Sequence, residues 1–364
     1  MNTPPKAAAG RKKLSARFVD IAQQAEVSVA TVNRVLNDHG GVSPKTRDKV
    51  LRAAKALAVP RLLPAAHRGL TRFDVVLASN RTPFFQRLNV ALQRWSQMLD
   101  QRIVIHRHEF QPEQIAATAQ FIAQPPHQRN GLVLAVHDTP DIRHAVQRVI
   151  AQGVPVVTLM SDISDVERLH YAGIDNFMAG RSAGHFMGRL ARTPGRVAVL
   201  TNDLSFRAHR DRTGGFLAAM AQHHPHLQCL PIDSCQDDPV RVQAVVSRAL
   251  RAPSSDPLVG IYHSGAGSLG IAHALRTGGA RPVWIGHELT DEHRDLIQQN
   301  VLDLVIDQNP DGQVMSAMQH LLHANRWLDQ RPISRPNEFR LFFMENLPTR
   351  PYLAPDADTG VVGW

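Results

Sequence analysis

Cysteine is scarce in this 364-residue sequence, which contains Cys229 and Cys235 and no others. Two cysteines make no disulfide framework, so small disulfide-stapled proteins are excluded, and we expect both to be ordinary residues around a strand. This composition suits a reducing compartment, and we expect a cytoplasmic protein.

Long apolar runs are also absent. No segment approaches the roughly 20 apolar residues that a membrane-spanning helix needs. The basic N-terminus, residues 1–16, is not followed by the apolar region of a secretion signal. We therefore expect a disordered basic arm over residues 1–16 and no membrane partner.

Signatures of catalysis and of metal binding are equally sparse. Ala266 stands two positions before Ser268, so the G-x-S-x-G nucleophile elbow is not formed. The 19 histidines are densest at 223–226, where no further ligand pattern accompanies them. The sequence predicts no enzyme, no metal ion and no cofactor.

Positive charge is concentrated at one end of the chain. Residues 1–73 hold 14 Lys/Arg against 4 Asp/Glu, a net of +10, while the remaining 27 Lys/Arg and 28 Asp/Glu give −1 and bring the total to +9. A strongly basic module joined to a nearly neutral one is typical of a domain that binds a nucleic-acid backbone.

Residues 17–58 have the periodicity of three short helices. The first apolar stripe ends at Ala25, the period breaks at residues 26–28, and it then resumes. Ser28 is a natural N-cap for the second helix, and Ser43 with Pro44 begins the third. The predicted inward-facing residues are Phe18, Ile21, Ala22, Ala25, Val32, Val35, Leu36, Val50, Ala54 and Leu57.

The second helix keeps an outer face that could contact DNA. The side chains of Asn33 and Arg34 carry forked polar groups that match base edges in the major groove, and a small residue such as Ala30 can contact a thymine methyl. Hydroxyls at the helix N-terminus suit a phosphate. The alternative is an ordinary solvated face. The predicted contacts in this domain are Ser28, Val29, Ala30, Thr31, Asn33, Arg34, Asn37 and Lys45.

The segment DIAQQAEVSVATVNRVLN, followed by VSPKTRDKV, resembles the DNA-binding headpiece of the lac repressor (LacI/GalR) family. The resemblance implies that Val29 and Ala30 are the main specificity positions and that Arg34 and Asn37 also contact DNA. It implies a transcriptional repressor that binds a palindromic operator. The C-terminal tail, 348–364, is too rich in Pro and Gly for a tetramerising helix, so we expect a homodimer.

Departures from the family pattern concern the turn and the hinge linker, residues 59–72. Glu26 stands where the family has a small residue, usually Gly. In the family a linker helix wedges a leucine into the minor groove, but here Arg68 falls at that position and Pro64 lies inside the would-be helix. We expect an extended linker with Arg68 in the minor groove. A shifted register with Leu70 as the wedge is the alternative.

After the linker, apolar runs of strand length alternate with helical stretches, which predicts an α/β domain with parallel sheets. The predicted strands are 74–78, 103–106, 132–136, 154–160, 197–201, 258–262, 283–286 and 301–307, and the predicted helices include 87–99, 142–152, 180–190 and 312–328.

Several motifs in this body resemble the periplasmic sugar-binding-protein domain that the lac repressor family carries, and most of all its ribose-binding branch. They are TPFF (82–85), GIDN (173–176) with AG (179–180), HRDRTGGF (209–216) and IDQNP (306–310). The resemblance covers about residues 73–347. It implies two lobes, about 73–175 with 309–336 and 176–308 with 337–347. We place the three crossovers between them near Asp175, Gln308 and Asn337.

The resemblance further implies that an effector binds between the lobes, at the C-terminal ends of strands. Aromatic rings would stack on the C–H face of a sugar, and Arg, Glu and Gln would fix its hydroxyls. The sequence Met160-Ser161-Asp162 replaces an Asp-Arg pair of ribose binders, so we expect a sugar or sugar derivative other than a plain pentose. The implied effector contacts are Thr82, Phe84, Phe85, Ser161, Asp162, Arg210, His263, Ser264, Glu288 and Gln308.

A competing interpretation rests on the segment 265–270, which reads G-x-G-x-x-G after a predicted strand, with Glu288 at 18 residues beyond it. This pattern is compatible with a nicotinamide dinucleotide site in an enzyme or a redox-sensing regulator. We favour the effector-domain interpretation, because it accounts for the same strand, loop and helix.

Overall fold

A computed structural model describes residues 18–36, 41–57, 70–251, 253 and 255–349. The chain divides into two compact units at Leu70/Thr71. Asn37 and Arg68 lie outside the described residues, as do the N-terminal arm, most of the linker and the C-terminal tail from residue 350. The predictions for the conformation of those segments therefore stay predictions.

The N-terminal unit consists of three helices, α1 (Phe18–Ala25), α2 (Val29–Leu36) and α3 (Pro44–Ala56). The predicted inward-facing residues pack into one apolar cluster, in which Phe18 and Leu57 are partly buried and the others are buried. The predicted caps are confirmed. Thr31 N donates to Ser28 Oγ over 3.1 Å, and Thr46 N donates to Ser43 Oγ over 3.2 Å.

The turn between α1 and α2 forms with glutamate at the position where small residues are common. Glu26 adopts φ +52°, in the left-handed region that non-glycine residues rarely occupy. Its carboxylate accepts a hydrogen bond of 2.9 Å from Lys49 Nζ on α3, and this ion pair lowers the pKa of Glu26. The turn thus retains the helix-turn-helix geometry and ties it to the third helix.

The second unit contains two mainly parallel sheets with helices packed on them, which confirms the predicted α/β class. The first sheet has the order β2-β1-β3-β4-β5, and the second has the order β11-β10-β9-β8-β6-β7. The strands are β1 (Thr71–Ala78), β2 (Ile103–Phe110), β3 (Gly131–Ala135), β4 (Val156–Leu159), β5 (His170–Ala172), β6 (Gly195–Thr201), β7 (Leu227–Ser234), β8 (Leu258–His263), β9 (Val283–His287), β10 (Leu304–Asp307) and β11 (Arg340–Phe342).

The helices of this unit follow the strands in the alternation expected for βαβ units. They are α4 (Pro83–Met98), α5 (Ile115–Ala123), α6 (Pro140–Ala151), α7 (Asn176–Leu190), α8 (Arg207–His223), α9 (Pro239–Leu250), α10 (Ser268–Gly278), α11 (Asp291–Gln298) and α12 (Pro310–Ala324), with a 3-10 turn at Met344–Asn346. Within the described part of the chain, no helix has the length and apolarity that crossing a membrane would require.

Each sheet forms the centre of one lobe, and the chain passes between the lobes three times. Helix α12 packs on α4 and β4 of the first lobe, although the strands before and after it belong to the second sheet. The three passages lie side by side. Asn337 N donates to Gly173 O over 2.8 Å, and Asn337 Nδ2 donates to Gly312 O over 3.1 Å.

Three strands were missed by the sequence analysis, β5, β7 and β11, and all three lie at a sheet edge. Strand β7 buries only Leu227 fully and contains Pro231, so it has no continuous apolar run. Strand β11 is three residues long and pairs antiparallel with β10. Edge strands need fewer buried residues than central strands, which is why apolar periodicity did not reveal them.

Candidate functional site

A cleft lies between the two lobes. The first lobe lines it with residues after β1 and β4, and the second lobe lines it with residues that follow β6, β7, β8, β9 and β10. All of these segments lie at the C-terminal ends of parallel strands, where open α/β sheets place their ligands. Six of the predicted effector contacts line the cleft: Thr82, Phe84, Phe85, Ser264, Glu288 and Gln308.

Aromatic rings from both lobes face this cleft. The Phe84 and Phe85 rings pack edge to face at the start of α4, with 5.7 Å between their centroids. Phe206 approaches from the second lobe, just before α8. All three side chains are buried, so they provide apolar walls that a ring-shaped ligand could contact on its C–H faces.

Polar atoms without hydrogen-bond partners also lie in the residues that line the cleft. They include Nη2 of Arg212, Oε2 of Glu288 and Oε1 of Gln308, beside Nδ1 of His287 and Oε1 of Glu292, and each is buried. Buried polar atoms are costly unless they are paired. One guanidinium donor and two oxygen acceptors are therefore available to hydroxyl groups placed between the phenyl rings.

Glu288 occupies a strained and buried position immediately after β9. Its φ is +67°, and its backbone N donates to Ile306 O over 2.9 Å. Gln308 Nε2 donates to its Oε1. Burial, together with the nearby negative charge of Asp307, raises the pKa of Glu288 to about 7, although Arg212 and Arg87 oppose the shift.

This raised pKa predicts a pH-dependent stability. Folded Glu288 holds its proton to a higher pH than the unfolded chain does, so the free energy of unfolding falls as pH rises from about 4.5 to about 7. Glu288→Gln should remove this decrease in the free energy of unfolding. The Tm of the variant minus the Tm of wild type should therefore be larger at about pH 8 than at about pH 5. Glu345→Gln, at an exposed site, is the control. A Tm difference between Glu288→Gln and wild type that is the same at both pH values would contradict the assignment.

Four predicted effector contacts do not line the cleft, and the prediction is corrected for them. Ser161 is fully buried, and its Oγ accepts a hydrogen bond of 3.2 Å from Ala208 N. Asp162 is bound by Thr158 Oγ1 at 2.7 Å and by Arg168 Nη2 at 2.6 Å. The preceding Met160, at φ +64°, turns toward the cleft instead of them.

The other two corrections concern His263 and Arg210. His263 is buried at the end of β8 with its Nδ1 3.5 Å from Ser268 Oγ, and burial lowers its pKa to about 3. Arg210 points to the rim, where its Nη2 donates to Asp138 Oδ2 over 2.6 Å. The arginine that lines the cleft is Arg212, two residues farther along α8.

Close packing of α7 on α8 positions Arg212. A Cβ on Gly180 would lie 2.0 Å from Arg212 O, and a Cβ on Gly215 would lie 2.1 Å from Phe177 O, so both positions require glycine. At this separation Arg212 Nε donates to Asn176 Oδ1 over 2.7 Å, and its Nη1 donates to Ser264 O over 3.3 Å. These bonds hold the guanidinium in the floor of the cleft.

A second polar group in the cleft was missed by the sequence analysis because it follows the unpredicted strand β7. Asp237 Oδ1 accepts from Ala266 N at 2.7 Å. Its Oδ2 accepts from Asn202 Nδ2 at 2.8 Å and from Asn80 Nδ2 of the first lobe at 3.2 Å. All four residues line the cleft, so Asp237 joins three loops and both lobes.

The lobes also touch at the rim, through Asp138 of the first lobe. Asp138 N donates to Ser205 O over 3.1 Å, in addition to the bond from Arg210. Burial would raise the pKa of Asp138, but hydrogen bonds from Arg143, Ser164 and Arg210 outweigh it and lower the pKa to about 2. The carboxylate is thus charged and bridges the two lobes.

In the N-terminal unit, the predicted DNA-contacting face is present on α2. Val29, Ala30, Asn33 and Arg34 are exposed, opposite the buried Val32, Val35 and Leu36. Thr31 is partly buried, and its Oγ1 lies 2.8 Å from Ser28 Oγ at the helix N-terminus. Lys45 is exposed in the first turn of α3.

The glycines at 265–270 have packing roles within this fold. Gly267 has φ +95° at the start of α10, and a Cβ on Gly270 would lie 2.1 Å from Pro239 O on α9. Gly265 lies where a Cβ would be 2.9 Å from Asn202 N. The loop is therefore shaped by its neighbours α9 and β6, and a nicotinamide dinucleotide is not needed to explain it.

Comparisons with known proteins agree with this architecture. Residues 18–58 match the family described as bacterial regulatory proteins, lacI family, and residues 73–324 match the periplasmic binding protein domain. The chain belongs to the periplasmic binding protein domain family over its body, and its N-terminal unit is a domain of the lacI family of bacterial regulatory proteins. The predicted family and fold are confirmed, and no comparison supports the nicotinamide alternative.

Individual relatives are similar to more than half of this chain. The HTH-type transcriptional regulator DegA of Bacillus subtilis (strain 168) is 25% identical over 207 residues, which are 56% of this chain and 60% of DegA. The ribose import binding protein RbsB of Escherichia coli (strain K12) is 23% identical over 266 residues, 72% of this chain and 88% of RbsB. These relatives are a regulator and a sugar-binding protein.

Solved structures show the same fold for the body. An ABC transporter solute-binding protein from Burkholderia graminis C4D1M, in complex with D-arabinose, has a TM-score of 0.69 and 19% identity. The match covers 78% of this chain and 98% of the other. At this identity the likeness establishes the architecture of the two lobes.

Proposed function

We propose that this lacI-family protein is a DNA-binding repressor whose operator affinity is controlled by a sugar or sugar derivative bound between its lobes. The observation that carries the proposal is the set of unpaired buried polar atoms on Arg212, Glu288 and Gln308 beside the Phe84 and Phe85 rings. Sugar recognition combines apolar walls with a few fixed donors and acceptors, and this cleft offers both.

The DNA partner is proposed from α2 and from the positive charge of the N-terminal unit. An eight-residue helix can contact few base pairs, so sequence specificity would require two copies on a palindromic site. We therefore propose a cytoplasmic homodimer on double-stranded DNA. The family resemblance supports the same arrangement, with Ser28, Thr31 and Lys45 on phosphates and Val29, Ala30, Asn33 and Arg34 toward bases.

Closure of the cleft is the proposed link between the effector and the operator. The lobes are joined by side-by-side crossovers and touch through Asp138, Ser161 and Asp237. A ligand that bridges Phe84 and Arg212 would favour the closed arrangement by its difference in affinity for the open and closed states. The fraction of subunits in the closed state would then determine how the two DNA-binding units of the dimer are spaced on the operator.

The proposal is tested by measuring DNA affinity with and without candidate effectors. An operator is first selected from random DNA, and fluorescence anisotropy then measures Kd in the presence of pentoses, hexoses, polyols and sugar phosphates. We expect at least one sugar to change operator affinity and to raise the Tm of the protein. The proposal is wrong if the chain selects no sequence, or if none of these compounds changes either quantity.

The ion pair between Arg210 and Asp138 predicts a modest effect on effector affinity. Arg210→Ala should weaken effector binding by about two- to fivefold, because a partly exposed pair contributes about 0.2 to 1 kcal/mol to closure. Titration followed by intrinsic fluorescence measures this change. Arg143→Ala is the matched control, since Arg143 binds the same carboxylate from within the first lobe at 2.6 Å. Equal losses in both variants would argue against a role in closure.

A further inference from the structure

The first lobe contains a cluster of three histidines and one aspartate far from the cleft residues described above. Asp74 lies on β1, His106 and His108 lie on β2, and His127 lies in the loop between α5 and β3. One potential ligand atom from each residue can be chosen so that all four lie within 4.8 Å of one another. In the part of the chain that the structure describes, this is the one such group of three or more.

The strand register explains why these side chains converge. Asp74 pairs with His106 across the parallel β1–β2 ladder, so the two side chains leave the same face of the sheet. His108 is two residues farther along β2 and points to that face as well. The loop after α5 then brings the His127 ring to 4.9 Å from the His106 ring and 6.1 Å from the His108 ring.

The distances around Asp74 Oδ1 are close to those of a metal coordination sphere. His127 Nε2 lies 3.0 Å from it and His108 Nε2 lies 3.5 Å from it. Ligands at about 2.0 to 2.1 Å from a tetrahedral Zn²⁺ are separated by about 3.3 Å. His108 Nε2 is buried and makes no hydrogen bond of good geometry, and its one charged neighbour among these contacts is Asp74 Oδ1, so this nitrogen already points into the cluster.

The environment of the aspartate favours one oxygen for a metal. Arg129 Nη1 lies 3.4 Å from Asp74 Oδ2, and Arg129 is fixed by a further bond to Ile122 O. This contact holds the buried carboxylate and leaves Oδ1 facing the imidazoles. Outer partners of this kind orient metal ligands in proteins. The His108 and His127 side chains remain 25% and 23% exposed, which provides a route from solvent.

We propose that Asp74, His106, His108 and His127 bind a divalent transition-metal ion, with Zn²⁺ the best fit. Imidazole nitrogens select Zn²⁺, Ni²⁺, Co²⁺ or Cu²⁺ over Mg²⁺ and Ca²⁺, and three imidazoles with one carboxylate complete a tetrahedral Zn²⁺ site. The ion would join the edge strand β2 to β1 and to the loop before β3. This site leaves no signal in the sequence, because its ligands come from three separate segments, whereas the histidines at 223–226 stand close together in the chain.

The test uses full-length, tag-free protein that has been stripped with a chelator. Zn²⁺ is titrated in competition with a chromophoric chelator, and Co²⁺ is used as a probe, because tetrahedral Co²⁺ absorbs strongly in the visible. We expect one ion per chain, a tetrahedral Co²⁺ spectrum, and a rise in Tm with Zn²⁺ concentration. Absence of saturable binding would overturn the proposal.

Substitutions of the proposed ligands test whether the ion binds at this cluster. His108→Ala and His127→Ala should each weaken Zn²⁺ binding by more than about 100-fold, since even outer partners of metal ligands contribute about 10- to 100-fold. Both side chains are partly exposed, and circular dichroism and the metal-free Tm establish that each variant folds. The matched control is His223→Ala with His226→Ala, which changes the other histidine cluster and should leave the affinity within about twofold. Unchanged binding in the His108 and His127 variants, or lost binding in the control, would overturn the site.

Discussion

Arg212→Ala should nearly abolish the thermal shift that an effector sugar produces, whereas Arg210→Ala should largely retain it. Arg212 is 3% exposed, is fixed by Asn176 and Ser264, and has an unpaired Nη2 in a residue that lines the cleft. A hydrogen bond to a charged group contributes about 1.5 to 3 kcal/mol, so its loss should weaken effector binding by about 10- to 150-fold.

The size of the thermal shift follows from that change in affinity. Effector at 100 times its Kd adds about 2.7 kcal/mol to the free energy of unfolding, and after a 100-fold loss of affinity the same concentration adds about 0.4 kcal/mol. Each variant is compared with its own ligand-free Tm, because Arg212→Ala also leaves Asn176 Oδ1 without its donor. Arg212→Lys should recover little, since an ammonium lacks the planar fork of donors.

Arg210→Ala is a stringent control because it removes the same kind of side chain two residues away on the same helix. The outcome that would refute the assignment is a normal effector response in Arg212→Ala. If Arg210→Ala then lost the response, the original sequence-based choice of Arg210 would be right. Reduced but saturable binding in both variants would indicate that the two arginines share the ligand.

The difference between these arginines illustrates what the sequence could and could not predict. Residues at strand ends were predictable, because apolar runs reveal where parallel strands end and ligands gather there. Ser264, Glu288 and Gln308 each follow such a run and line the cleft. Arg210 and Arg212 instead depend on the rotation of α8, which is set by the contacts of Gly180 and Gly215 with the neighbouring helix.

Other errors have similarly local physical causes. Ser161 and Asp162 follow a predicted strand, but the positive φ of Met160 redirects the chain and places them among buried hydrogen bonds. Asp237 was missed because the edge strand before it lacks an apolar run. Backbone reversals and edge strands leave little periodic signal, so the contents of a cleft are harder to predict than its location.

The headpiece was easier to predict, since its helices are amphipathic and capped by local side chains. Each predicted inward residue joins the apolar cluster, and Ser28 and Ser43 cap their helices. The apolar residues of α2 repeat with helical period and are buried, so the opposite side of the helix is exposed and could be predicted from the same pattern. This makes Arg34, which is exposed in the last turn of α2, the residue with the clearest expected effect on DNA recognition.

Arg34→Ala should reduce affinity for the selected operator by about 1 to 3 kcal/mol and relax the preference at one base pair of each half-site. A guanidinium that donates two bonds to a guanine edge distinguishes that base from the others, and alanine cannot do so. The measurement is a set of anisotropy titrations on the operator and on all single substitutions of one half-site. The affected position should be the same in every salt concentration used.

Lys45→Ala supplies the contrast, because Lys45 is an exposed cation in the first turn of α3 and is proposed to contact phosphate. It should weaken binding to all sequences alike and reduce the slope of log K against log salt by about 1. The two variants thus distinguish a contact to a base edge from a contact to the phosphate backbone. If Arg34→Ala lowered affinity equally on every sequence, Arg34 would be a phosphate contact, and base recognition by α2 would have to rest on Val29, Ala30 and Asn33.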